Sequence, residues 1–114
     1  MEDCIFCKIA GGQIPAEKVY EDDRVLAIFD IAPQAPVHVL VIPKRHAEDM
    51  LEARGFGDAE LAHLFRTAAE VAARLGLDKT GFRIVSNCGG DACQSVPHLH
   101  IHVLGGKQLS PGMV

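Results

Sequence analysis

The chain has 114 residues, room for one domain with one core, so a multidomain machine is excluded. Its 48% hydrophobic and 23% charged residues exclude a disordered chain. A net charge of −4 with 5% aromatic residues excludes the basic field and stacking platform of general nucleic-acid binders, so an anionic ligand must be held by local donors.

The acidic start, Met1-Glu2-Asp3-Cys4, has no basic stretch ahead of a long apolar run, so no secretory leader is expected and the expected compartment is reducing cytoplasm. The spacing of 4–10 predicts a short helix stopped by Gly11-Gly12. Residues 18–21 and 25–29 read as a hairpin turned at Asp22-Asp23, with Pro33 and Pro36 ending its second strand. A third strand, 37–42, stops at Pro43; its apolar run is broken by His38 and is far below the roughly 20 residues of a membrane span. Asp58 is the expected N-cap of a long helix whose apolar stripe is Leu61, Leu64, Phe65, Ala68, Val71, Ala72 and Leu75, with Gly76 as its stop. Residues 82–86 and 98–104 read as two further strands joined by a glycine-containing loop, 87–97. Grouped strands around one major helix predict an α+β class: a single domain, 1–114, with a five-stranded antiparallel sheet, one long helix and one or two short ones.

The chemistry concentrates in His98-Leu99-His100-Ile101-His102, because side chains along a strand alternate faces and three imidazoles then share one. Upstream, Cys4-x-x-Cys7 has the spacing of a zinc half-site, which His46 and His98 would complete as a Cys2His2 tetrahedron. Two thiols with no metal, or a redox pair, are the alternatives; the second lacks the strand expected ahead of it. Three imidazoles on one face also admit a catalytic zinc on His98, His100 and His102. The loop before them offers backbone N–H groups, an amide and a hydroxyl, suitable donors to phosphate. His63 falls off the apolar stripe and is expected to be solvated, whereas His38 is open between the triad's hydrogen-bond network and the core.

Cys4-Ile5-Phe6-Cys7-Lys8-Ile9, Asp30-Ile31, Pro33-Gln34-Ala35-Pro36, Val41-Ile42-Pro43-Lys44 and, above all, Gln94-Ser95-Val96-Pro97-His98-Leu99-His100-Ile101-His102-Val103-Leu104-Gly105-Gly106 are carried in order along the chain. In these segments the chain resembles the histidine triad family of nucleotide hydrolases and transferases, and most closely its Hint branch. The resemblance implies a homodimer whose two sheets join into one of ten strands, acting as a purine nucleoside phosphoramidase. It implies that His100 attacks the α-phosphorus of an adenosine or purine 5′-phosphoramidate to form a nucleotidyl-histidine, with His102 supporting the phosphate or leaving group. Asp30 is then the ribose acceptor, Asn87, Gln94 and Ser95 the phosphate-region donors, and Phe6, Ile9 and Ile31 the wall around the base. The implied structural zinc ligands are Cys4, Cys7, His46 and His98, the set already reached from spacing. A nucleotide-binding regulatory module and a dinucleotide polyphosphate hydrolase are the alternatives. Two departures stand out: Cys93 lies where many Hint proteins have glycine, and the tail after Gly106 has no tryptophan.

Overall fold

The computed structural model describes residues 3–113. In chain order it contains α1 (Ile5–Ala10), β1 (Lys18–Glu21), β2 (Val25–Phe29), β3 (Val37–Pro43), a 3-10 turn at Glu52–Gly55, α2 (Asp58–Arg74), β4 (Phe82–Val85), a second 3-10 turn at Gly90–Ala92, and β5 (Ile101–Gly105). The strands form one antiparallel sheet in the order β1-β2-β3-β5-β4. β3 lies at its centre, and both of its faces are covered. Val39 and Val41 join Val25, Ala27 and Val103 in a core under α2, whereas Leu40 and Ile42 join Leu26 and Ile28 in a second core with Phe6 and Ile9 of α1. A strand buried on both faces reads as a continuous apolar run instead of an alternating one, which is how β3 reads in the sequence.

The hairpin turns as Asp22 predicts: its Oδ1 accepts the N–H groups of Arg24 and Val25 at 2.8 and 2.7 Å. α2 differs from expectation at its start. The N-cap is Gly57, whose N–H is met by Glu60 Oε1 at 2.9 Å, and Asp58 is the first helical residue, where a carboxylate complements the helix dipole. The end agrees: Gly76 takes φ +80°, and the N–H groups of Gly76 and Leu77 return to Ala73 and Ala72 in a Schellman closure.

Three further expectations are corrected. Leu61 and Phe65 are 37% and 64% exposed, because the stripe that meets the sheet runs through Leu64, Thr67, Ala68, Val71 and Ala72. His63 is half-buried rather than solvated. Its Nε2 lies 2.6 Å from Asp22 Oδ2, which also accepts the Tyr20 hydroxyl at 2.7 Å, so α2 is clasped to the hairpin turn. Finally, β5 begins at Ile101, not at 98. Pro97 has no N–H to give, the Leu99 N–H goes to Ala47 O at 2.7 Å, and the His100 carbonyl accepts from Ser86 Oγ at 2.9 Å, so this stretch is bonded outside the ladder.

Candidate active site and metal centre

Cys4 is the N-cap of α1, its Sγ accepting the Cys7 N–H at 3.3 Å, and this first turn sets both thiols side by side. His98 Nδ1 lies 3.1 Å from Cys4 Sγ, 3.5 Å from Cys7 Sγ and 3.1 Å from His46 Nδ1, while Cys7 Sγ and His46 Nδ1 are 3.4 Å apart. Ligands bound at about 2.0–2.3 Å around a tetrahedral ion are separated by roughly 3.3–3.8 Å, so this group is close to the required size. The lone pairs agree. His98 Nε2 donates to the Pro43 carbonyl at 2.7 Å, which leaves the lone pair on Nδ1, facing the thiols. His98 has no solvent exposure, and burial lowers its pKa, keeping the ring neutral as a metal ligand must be. These four residues can hold a metal ion.

Although only His102 lies within β5, the alternation continues backwards. Leu99, Ile101 and Val103 enter the core under α2, while His98 and His100 lie edge-on to Phe6 of α1, with ring centroids 5.8 and 5.1 Å away. The three imidazoles nevertheless do not converge on one ion: the Nδ1 atoms turn to the thiols in His98, to a carbonyl in His100 and to another histidine in His102. A catalytic metal on that triad is therefore not what the fold builds.

Each remaining ring has its tautomer set by a neighbour. His100 Nδ1–H donates to the His98 carbonyl at 2.7 Å, so the lone pair sits on Nε2. That atom has no hydrogen-bond partner, and among the described residues no fully buried side-chain nitrogen lacks one, so solvent or a ligand reaches it. The Gln34 N–H donates to His38 Nδ1 at 3.0 Å, placing the His38 proton on Nε2, which donates to His102 Nδ1 at 2.8 Å. His102 must then carry its own proton on Nε2. Burial, followed by the neighbouring His100 and His38, pushes the His102 pKa down to about 4, so the ring is a neutral donor at pH 7.

Asp30, His38 and His102 also stand close enough to suggest a second metal group. The Gln34 N–H argues against it. A metal on His38 Nε2 would force the ring proton onto Nδ1, against another donor, so the three form a hydrogen-bond relay, with Asp30 Oδ2 as a longer 3.4 Å neighbour of His38 Nε2.

A cavity of about 520 Å³ opens beside this relay, walled by Asp30, His38, Asn87, Cys93, Ser95 and His102. Asp30, Asn87, Ser95 and His102 of the expected set thus come together, with His100 behind His102 at a ring-centroid distance of 5.0 Å. Phe6 and Ile9 are buried in the core with α1, beneath the histidines, and Ile31 is fully exposed rather than part of a wall. Gln94 does not line the cavity; its amide is bonded to Gly89, Glu48 and Val96. His38 is the residue that sequence reasoning left undecided. Its signal was register: β3 pairs antiparallel with β5, Leu40 opposite His102, which puts His38 diagonally across from His102 on the same face.

Residues 11–109 match the HIT domain family. This chain belongs to that family. The HIT chain is 50% identical over 114 residues to a 14 kDa zinc-binding protein of Brassica juncea, covering 95% of this chain and 96% of that protein. Its fold is similar to that of a HIT family hydrolase from Clostridium thermocellum, with a TM-score of 0.95 and 44% identity, covering 100% of this chain and 99% of the other. It is also similar to a histidine triad nucleotide-binding protein from Candida albicans, with a TM-score of 0.81 and 30% identity over 98% and 87% of the two chains.

Proposed function

We propose that this HIT protein is a nucleotide hydrolase that cleaves the phosphorus–nitrogen bond of adenosine or purine 5′-phosphoramidates, or the acyl–phosphate bond of acyl adenylates, through His100. The observation that carries the reading is the bond from His100 Nδ1–H to the His98 carbonyl, which puts the ring's lone pair on Nε2, next to the His102 ring that walls the cavity. That pair attacks the α-phosphorus; the bond to the leaving amine breaks, and the amine departs with its electron pair and takes up a proton. Water then displaces the nucleotide from Nε2, releasing the monophosphate and a proton and restoring the lone pair. His102 Nε2–H donates to the phosphate oxygens or leaving group as charge develops. Asp30, Asn87 and Ser95 bind sugar and phosphate from the same wall. The Clostridium and Candida relatives, named as hydrolase and nucleotide-binding protein, support this class of ligand and reaction.

Zinc is the metal this donor set favours: two thiolates and two imidazoles in a closed tetrahedron describe a structural site, supported by the name of the Brassica relative. Held by Cys4, Cys7, His46 and His98, it would fasten α1 to the segments that carry the two histidines. A homodimer fits the remaining apolar surface. β4 is a sheet edge with Phe82 and Ile84 41% and 38% exposed, beside a cavity of about 510 Å³ that Leu61, Phe65 and Met50 line, and a second β4 would continue the sheet to ten strands.

Incubation with adenosine 5′-phosphoramidate tests the enzyme. The expected result is turnover, with a trapped adenylyl group mapping to His100 and lost in His100→Ala. Turnover surviving that substitution would reject the mechanism, and tight AMP binding without turnover of phosphoramidate, acyl adenylate or dinucleotide polyphosphate would make the protein a binding module instead.

A further inference from the structure

The Gln94 side chain ties together two segments that nothing else joins in the same way. Its Oε1 accepts the Gly89 N–H at 2.9 Å, and its Nε2 donates to Glu48 O at 2.6 Å and to Val96 O at 3.0 Å. Its own N–H returns to Gly89 O at 3.1 Å, while the Cys93 N–H meets Gly90 O at 3.0 Å, closing the loop as a Schellman turn. Among the described residues, the bond to Glu48 is the only hydrogen bond joining 87–95 to any segment outside 87–97. That stretch carries Asn87, Cys93 and Ser95, which wall the cavity. Glu48 stands two residues after His46, and Ala47 between them takes the Leu99 N–H at 2.7 Å. The loop at the nucleotide cavity is therefore moored to the strip of chain that supplies a metal ligand.

We propose that Gln94 is a positioning residue that couples the metal centre to the phosphate-binding loop, so that a metal on Cys4, Cys7, His46 and His98 strengthens nucleotide binding. The inference rests on the nucleotide and zinc readings above. Fixing His46 fixes the backbone of 46–48, and with it the acceptor that a 2.6 Å bond must find. Releasing His46 frees that strip; the mooring loosens, and the loop loses the arrangement that presents Asn87 and Ser95 to phosphate. Coupling of this kind is reciprocal, and a typical size is about tenfold in affinity.

Two substitutions separate coupling from simple loop support. Gln94→Glu keeps an acceptor for the Gly89 N–H but sets a carboxylate oxygen against Glu48 O and Val96 O; Gln94→Met removes all three bonds. AMP affinity is measured by calorimetry in zinc-loaded and chelator-stripped protein, with circular dichroism reporting the fold. The expected wild-type result is AMP binding about tenfold weaker without zinc, and in both variants a ratio near one with unchanged zinc affinity. Variants that bind AMP more weakly by the same factor in both states, so that the zinc ratio of about tenfold survives, would make Gln94 a loop brace only, and wild-type affinity indifferent to zinc would remove the coupling; either overturns the proposal. Absence of AMP binding would overturn the nucleotide reading beneath it, and absence of stoichiometric zinc the metal reading. Should stripping unfold the sheet, cobalt(II)-loaded protein gives the same answer: AMP shifts the visible bands in the wild type and leaves them unmoved in Gln94→Glu, whereas equal shifts, or none in either protein, reject the coupling.

Discussion

The main-chain carbonyl of His98 accepts the Nδ1 proton of His100 at 2.7 Å, while the ring of His98 turns its own Nδ1 toward Cys4 at 3.1 Å. One residue thus faces the metal group with its ring and fixes the tautomer of the proposed nucleophile with its backbone. The arrangement gives each imidazole a different duty without changing residue type.

Removing His38 should damage the chemistry more than the fold. His38→Phe keeps the ring volume but takes the donor away from His102 Nδ1, so the His102 proton is free to sit on either nitrogen. The expected outcome is a fall in kcat of about 10–100-fold, the usual range for loss of an orienting partner, with a smaller change in KM. Steady-state kinetics on a phosphoramidate checks it, and an unchanged kcat would show that the relay has no part in turnover.

Stability should decline with acid partly through His102. Its pKa falls from about 6.5 in the unfolded chain to about 4 in the fold, so the unfolded state binds the extra proton first. The neutral ring costs nothing above pH 6.5, and the fold loses stability progressively as the pH falls from there toward 4. Urea unfolding between pH 7.5 and 4.5 should therefore fall less steeply for His102→Phe than for the wild type. Parallel slopes would contradict the assignment.

Chelation of zinc should loosen α1 before the sheet. The Lys8 N–H bonds to Cys4 O at 3.0 Å within the first turn that carries both thiols. Hydrogen exchange at Lys8 is expected to speed up after chelation while amides of β3 stay protected. A Lys8 amide equally protected in both states would mean that no metal holds the helix.

Cys93→Gly should stabilise the protein. Cys93 sits at φ 58°, ψ 41°, the left-handed position of its turn, where a side chain costs about 1 kcal/mol that glycine does not. A gain of about 0.5–1 kcal/mol in urea unfolding is the expected outcome. Alkylating the exposed thiol in the wild type should weaken nucleotide binding, since it protrudes at the cavity wall.

At the sheet edge, Ile84→Lys should shift the protein to a monomer by sedimentation, because it places a charge in the middle of an exposed apolar strand. A dimer that persists would have to use another face.

Much of this was legible because hydrophobic period tracks secondary structure closely here. β1 and β2 fall on the expected residues, and β3 and β4 are displaced by one residue at a single end. The metal group was legible because two cysteines three positions apart, Cys4 and Cys7, on a first helical turn, have few other uses near a buried histidine. What failed were features decided by tertiary partners. Helical spacing cannot tell which flank of a stripe meets a sheet, so Leu61 and Phe65 were assigned to a core they do not enter. His63 looked solvated because its partner, Asp22, is 41 residues away in the chain. Gln94 looked like a free donor, since nothing in the sequence announces that Glu48 O will stand 2.6 Å from it.

The Gln34 amide sets a direction that every later proton in the relay follows: toward His38, then toward His102, then out into the cavity. No lysine or arginine lines that cavity among the described residues. Its one acidic side chain is Asp30, and beside it His102 offers an N–H, in a molecule whose overall charge is negative. A phosphate released there would have no fixed cation to tear itself from and a carboxylate nearby, so the wall proposed to orient the substrate would also hasten the escape of an anionic product into solvent.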